Sequence, residues 1–172
     1  MNLSRPEDFH AFRVMLGGFS YLRKHFWNFA TITGPLWCLL KKKVEWDWGP
    51  EQEKAFCNLK QALLQAPALK VPEINERFVI KLAATQQSQE AVLMQEIDRK
   101  LIPVAYESGR LTPMEQQFGI YERECLAIVW AIEAFALTTG TDPVIIQTSH
   151  SPLKYILSGK LQGKGVSNTN GP

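Results

Sequence analysis

The sequence predicts a mixed α/β protein, with a helical first part over residues 1–72 and a sheet carrying helices over 73–172. Apolar residues recur at helical spacing from Phe9 to Leu63, and the period then switches to two at 77-RFVIKLA-83. Two further sheet-like runs follow, and a long helical run separates them from a last one at 143-PVIIQTS-149. Three strands, a helix and a fourth strand is the order expected.

The first helix is opened by Ser4, Pro6 and Glu7, a capping box. Phe9, Phe12, Leu16 and Phe19 form its stripe, and Gly17-Gly18 loosens its end. A second helical run covers 21–29. A third follows the Thr33-Gly34-Pro35 break, through Leu36, Leu39 and Leu40 to Lys41-Lys42-Lys43. In 46-WDWGPEQEKAFCNLKQALLQAP-67, Gly49 is the N-cap and Pro50 the first helical residue. Ala55, Phe56, Leu59, Ala62 and Leu63 make the buried stripe, and Pro67 stops the helix.

In the first strand Phe78, Ile80 and Leu82 point one way, while Val79, Lys81 and Ala83 point the other. A second strand fits 91–95, a turn fits Asp98-Arg99-Lys100 and a third strand fits 101–108, giving an antiparallel meander. Thr112, Pro113 and Glu115 signal a helix running to about Leu137, with Phe118, Tyr121, Cys125, Ile128, Val129 and Ile132 in its stripe. Ser151-Pro152 opens a short last helix that Gly159 closes, and the polar tail beyond it is expected to fray.

Bulk properties exclude several classes. The chain has 172 residues, 45% hydrophobic and 21% charged, with net charge +2, as expected of a soluble globular protein. Its opening MNLSRPEDFH is polar, which argues against secretion and for an intracellular setting, cytoplasmic or nuclear. The most apolar segment, 125-CLAIVWAIEAFAL-137, is too short for a membrane span and contains Glu133. Three scattered cysteines read as buried reduced thiols, and three histidines lack metal-site spacing. Residues 1–72 hold ten Lys/Arg against six Asp/Glu, and residues 73–172 hold nine against eleven. The basic first part favours phosphate contact without establishing it. There is no Tyr-x-Asp-Asp polymerase motif, Asp-Asp pair or Walker loop.

A resemblance joins these elements. The stretch 11-AFRVMLGGFSYLRKHFWNFATITGPLWCLLKK-42 with 46-WDWGPEQEKAFCNLKQALLQAPAL-69 is similar to the thumb of retroviral and Ty3/gypsy-type reverse transcriptases. The later 103-PVAYESGRLTP-113, 121-YERECLAIVWAIEAF-135 and 148-TSHSPLKYIL-157 resemble the ribonuclease-H-like or connection region that follows in the same polyproteins. The resemblance implies a ribonuclease-H-type sheet in 73–172. It also implies that a fifth strand and final helix of the family are missing, leaving the fourth strand an open edge and the chain marginally stable or self-associating.

Family members with nuclease activity carry a Thr-Asp-Ala-Ser whose Asp aligns with Ala83, and a Thr-Asp-His whose Asp aligns with Ser149. Their helical glutamate is kept as Glu124. The small glycines of their first turn are replaced by Ser88 and Glu90. Such hydrolysis uses two Mg²⁺ ions roughly 4 Å apart, held by hard anionic oxygens. Alanine offers no ligand and serine a neutral oxygen, so no cofactor is expected here; Mg²⁺ belongs to the active members.

Glu124 reads either as a relic of that site or as a charge at the flank of a helix stripe, the commoner situation for a carboxylate without partners. Ser149 and Ser151 read as polar contacts to nucleic acid or as caps of the next helix. Arg23, Lys24, Lys41, Lys42 and Lys43 are candidates for phosphate contact, against the plainer reading that they face water. The five tryptophans read as packing residues. The function expected is a catalytically inactive, pol-derived scaffold with weak binding to an RNA–DNA hybrid or duplex. Two alternatives stand beside it: the connection segment of an active reverse transcriptase polyprotein, whose remainder would be its partner, or a protein-interaction module.

Overall fold

The structure, a computed structural model, describes residues 4–41, 44–73 and 76–148. It is a mixed α/β fold, as the sequence predicts. Three helices, α1 (Phe9–Tyr21), α2 (Phe29–Cys38) and α3 (Pro50–Leu64), precede strands β1 (Phe78–Ala84), β2 (Ser88–Ile97) and β3 (Lys100–Arg110). Helix α4 (Ile120–Thr139) and strand β4 (Val144–Gln147) complete the order. The sheet runs β3-β2-β1-β4. β1 is antiparallel to β2 and parallel to β4, while β2 is antiparallel to β3.

The helical part departs from its local signals wherever burial outweighs them. Asp8, not Ser4, caps α1, its carboxylate accepting from the Ala11 N–H at 2.7 Å. The helix runs through Gly17-Gly18 to Tyr21, held by Phe12, Leu16 and Phe19 in the core. The helix expected over 21–29 is a single 3₁₀ turn, Leu22–His25. Asn28, in the left-handed region at φ 64°, then turns the chain into α2. α2 continues through Thr33-Gly34-Pro35, where a break was expected. Pro35 removes the N–H that would bond the Thr31 carbonyl; buried Phe29, Ala30, Thr33 and Leu36 hold the helix regardless. α3 starts at Pro50 after Gly49, whose N–H donates to the Gln52 side chain at 3.2 Å.

These helices share one core of Phe12, Leu16, Phe19, Phe26, Phe29, Leu36, Phe56 and Leu59. Trp46 and Trp48 pack into it with ring centroids 5.9 Å apart, consistent with a packing role. Cys57 is exposed, contrary to the expectation of a buried thiol, and Cys38 and Cys125 are half-buried.

The sheet is covered on both faces. Phe78, Ile80, Leu82, Ala91 and Leu93 pack against Ala127, Ile128, Ala131 and Phe135 of α4. Val79, Val92 and Met94 form the other face with Tyr106 and with Trp27 of the helical part. The β2–β3 turn carries Asp98 at φ 51° and Arg99 at φ 61°, the left-handed pair of a tight hairpin. In β3 the register shifts opposite Leu93 and Met94, where Pro103 sits on an edge strand.

The start of α4 is displaced from its expected position. Thr112 and Glu115 do exchange capping bonds, Thr112 N–H to Glu115 Oε2 at 2.7 Å and Glu115 N–H to Thr112 Oγ1 at 3.3 Å. They head only the 3₁₀ turn Glu115–Gln117. The helix restarts at Gly119, whose N–H donates to Glu122 Oε2 at 2.7 Å. Its buried stripe is Glu124, Ala127, Ile128, Ala131, Phe135 and Thr139. Tyr121 and Val129, expected in the stripe, are more than half exposed. The short helix expected after Ser151 lies outside the described residues.

Candidate functional site

Ala83 occupies the next-to-last position of β1, exposed, and pairs with Glu90 across the β1–β2 ladder. Strand alternation places it on the face opposite Leu82 and Ala84, which belong with the α4 cluster. Glu124 projects from α4 and is 4% exposed, so it is part of the buried stripe and not a charge at its flank. Its Oε2 accepts from the Thr148 hydroxyl at 3.1 Å, just past the end of β4. Ser149 lies outside the described residues. Among the described residues no group of three His, Cys, Asp or Glu is placed to hold a metal. A two-ion site needs several carboxylates converging on shared ions. One buried glutamate with a hydroxyl partner, and an alanine on the opposite face, do not fit that requirement.

Of the basic candidates, Arg23 and Lys24 are brought together and Lys41 is separate. Arg23 Nε and Lys24 Nζ both lie 3.6 Å from the Glu107 carboxylate of β3. Their side chains are 48% and 59% exposed, whereas that of Glu107 is only 9% exposed. They therefore reach water and the sheet at once. Lys41 is exposed just beyond α2. Lys42 and Lys43 lie outside the described residues.

A polar seam that sequence reasoning missed lies where α2 and the 3₁₀ turn at 22–25 meet β2 and β3. The Ala30 N–H donates to Ser108 Oγ at 3.0 Å. The Thr31 hydroxyl donates to Glu90 Oε1 at 2.8 Å and lies 2.9 Å from Ser88 Oγ. Arg110 Nη1 donates to the Gly34 carbonyl at 3.1 Å. Trp27 meets Tyr106 edge to face, with ring centroids 6.2 Å apart.

Glu90 is 3% exposed. Burial pushes its carboxyl above the ordinary range, and hydrogen bonds from Thr31 and Ser88 pull part of the way back. Burial likewise raises the Tyr106 phenol. A cleft of about 270 Å³ opens beside the seam, lined by Thr31, Gly34, Thr85, Gln87, Ser88 and Arg110. Thr85 Oγ1 accepts from the N–H groups of Gln87 at 3.2 Å and Ser88 at 2.9 Å, so its hydroxyl is already committed to the turn.

The connection between the two parts is fixed as well. Gln95, fully buried, accepts from the Glu73 N–H at 2.8 Å and donates to the Glu73 and Glu76 carbonyls at 2.9 and 3.3 Å. The Lys70 N–H donates to the Pro103 carbonyl at 3.0 Å. Glu90, read as a turn residue, and Gln95, read as the end of the second strand, both lie buried within β2, and their polarity was the available signal.

Comparison with known proteins fits this arrangement. The profile of the RNase H-like domain found in reverse transcriptase matches residues 48–146. The chain belongs to this family. The match takes in α3 as well as the sheet and α4.

Relatives of this RNase H-like chain are retroelement polyproteins. It is 33% identical over 157 residues to the Retrovirus-related Pol polyprotein from transposon 412 of Drosophila melanogaster, covering 91% of this chain and 13% of that protein. It is 32% identical over 152 residues to the Transposon Tf2-3 polyprotein of Schizosaccharomyces pombe, covering 87% of this chain and 11% of that protein. The chain thus spans a small fraction of the curated relatives it matches.

Among solved structures, the foamy viral protease-reverse transcriptase in complex with double-stranded DNA superposes with a TM-score of 0.76. That match has 21% identity and covers 99% of this chain and 40% of the other. The same viral protein in complex with an RNA/DNA hybrid gives 0.72 at 23% identity, covering 97% and 23%. These matches show that the fold is shared.

Proposed function

We propose that this RNase H-like chain is a non-catalytic bridging segment of a retroelement Pol polyprotein. It would hold a thumb-like helical part at a set orientation to a connection-like sheet and make weak contacts with nucleic-acid backbone. The observation that carries the reading is the seam. A bridge must transmit position, and here Thr31–Glu90, Ala30–Ser108 and Arg110–Gly34 bonds join the two parts, with Gln95 fastening the chain between them.

Ala83 in the position of a family aspartate, with Glu124 buried on Thr148, supports the absence of nuclease chemistry. The foamy viral relatives were captured on double-stranded DNA and on an RNA/DNA hybrid, so a hybrid is the ligand to test. The exposed cations Arg23, Lys24 and Lys41 are the groups that would meet its phosphates.

The test is fluorescence anisotropy of the purified chain titrated onto a labelled RNA–DNA hybrid with Mg²⁺, at low and moderate salt, with a gel of the same samples. Binding that weakens steeply with salt and leaves the RNA intact supports the proposal. RNA cleavage that disappears in Glu124→Gln overturns the non-catalytic reading. No binding at either salt overturns the nucleic-acid contact.

A further inference from the structure

We infer that Glu107 is an internal competitor for nucleic-acid phosphate. It holds Arg23 and Lys24 against β3, and docking of the helical part and capture of a phosphodiester backbone draw on the same two cations. The inference deepens the function proposed above and rests on its nucleic-acid contact.

Three observations lead to it. The carboxylate of Glu107 is buried, so it cannot follow the cations outward, while both cations are about half exposed and open to an incoming anion. Each contact is 3.6 Å, an ion pair longer than a good hydrogen bond, so it positions the cation without saturating its donors. Glu107 belongs to β3, and Arg23 and Lys24 to the 3₁₀ turn that follows α1, so the pairs cross the seam. Drawing both cations onto phosphate leaves a buried carboxylate without them, a cost the bound state must offset. A carboxylate beside both cations also lowers the positive potential they offer an incoming phosphodiester oxygen, so the two anions compete for the same charge.

The test compares wild type with Glu107→Gln on the same labelled RNA–DNA hybrid across a salt series, with a thermal melt of each protein to establish folding. Glu107→Gln should bind roughly two- to tenfold more tightly, the range expected on releasing two partly exposed ion pairs. Its log Kd against log salt should steepen by about 0.7–0.9 for each cation freed onto phosphate. The gain should vanish when Arg23→Gln and Lys24→Gln are added. Glu107→Asp, which keeps the charge but draws it back by one methylene, should give a smaller gain and serves if the Gln variant does not fold. Wild-type binding with an equal or weaker Glu107→Gln overturns this inference alone, as does a gain that survives loss of Arg23 and Lys24. No binding by either protein overturns both the inference and the nucleic-acid contact beneath it.

Discussion

Ala83 and Glu90 face each other across one rung of the β1–β2 ladder. The small residue stands on the strand at the position where the family resemblance implies an acid, and the acid stands opposite it, bonded to Thr31 of the helical part. Cβ atoms of such a pair are about 4.5–5.5 Å apart, and like charges placed there repel. An aspartate at 83 would therefore face Glu90 directly. Ala83→Asp should lower stability by roughly 1 kcal/mol and should not confer Mg²⁺-dependent RNA cleavage. The loss should shrink in a Glu90→Gln background, a coupling that a double-mutant cycle in urea would measure. Equal losses in the two backgrounds would separate the rung from the charge.

The same glutamate makes the seam sensitive to pH. Its folded-state pKa is raised, chiefly by burial, so between the ordinary carboxylate range and that higher value the folded chain holds a proton that the unfolded chain has released. Stability from this group is therefore greatest at mildly acidic pH and declines as pH rises through the folded pKa. Glu90→Gln retains an acceptor for the Thr31 hydroxyl and removes the charge. It should raise Tm by a few degrees at neutral pH and flatten the slope in the window above the ordinary carboxylate range. Melts of the two proteins over that window check it, and a slope that persists in the variant would assign the effect elsewhere.

Gln95 tests whether the link between the parts is structural. Gln95→Leu fills the space but leaves the Glu73 N–H and the Glu73 and Glu76 carbonyls without the amide they now bond. Glu73 and Glu76 are exposed, so water can take over part of these bonds, and the loss sits at the low end of the roughly 1–3 kcal/mol for unpaired groups. The variant should lose stability to that extent, and limited proteolysis should cut between α3 and β1 sooner than in wild type. Unchanged protection of that stretch would mean that the Lys70–Pro103 bond suffices.

What the sequence made legible was local. Gly49-Pro50 before α3 and the alternation of Phe78, Ile80 and Leu82 use only neighbouring residues, and both were found where expected. α2 was misread because Gly34-Pro35 is a strong local stop, while the burial of Phe29, Thr33 and Leu36 that overrides it exists only in the folded chain. The α4 stripe was read correctly at Cys125, Ile128 and Ile132 but wrongly at Tyr121 and Val129, because large apolar residues were given more weight than Ala127 and Ala131. Those small residues let the helix lie close on the sheet, and Val129 faces outward. The seam was invisible for a related reason: Glu90 and Glu107 acquire their roles from Thr31, Arg23 and Lys24, some sixty to ninety residues away in sequence.

If the two parts are one cooperative unit, damage to either core must be felt by both. Leu59 of α3 and Leu93 of β2 are each fully buried, in separate apolar clusters. Truncation to alanine at such sites costs about 2.7–5 kcal/mol through lost transfer energy and the cavity left behind. Leu59→Ala and Leu93→Ala should each move a single transition, read identically by tryptophan fluorescence and by far-UV circular dichroism. Trp37, Trp46 and Trp48 report chiefly on the helical part, Trp27 on the seam and Trp130 on the sheet side. The seam supplies the coupling, so weakening it with Thr31→Val and Arg110→Gln together should split that transition in two, the fluorescence change separating from the circular dichroism change. Two separate transitions already present in wild type would mean that the seam bonds are too weak to couple the parts, and would remove the mechanical basis for a bridging role.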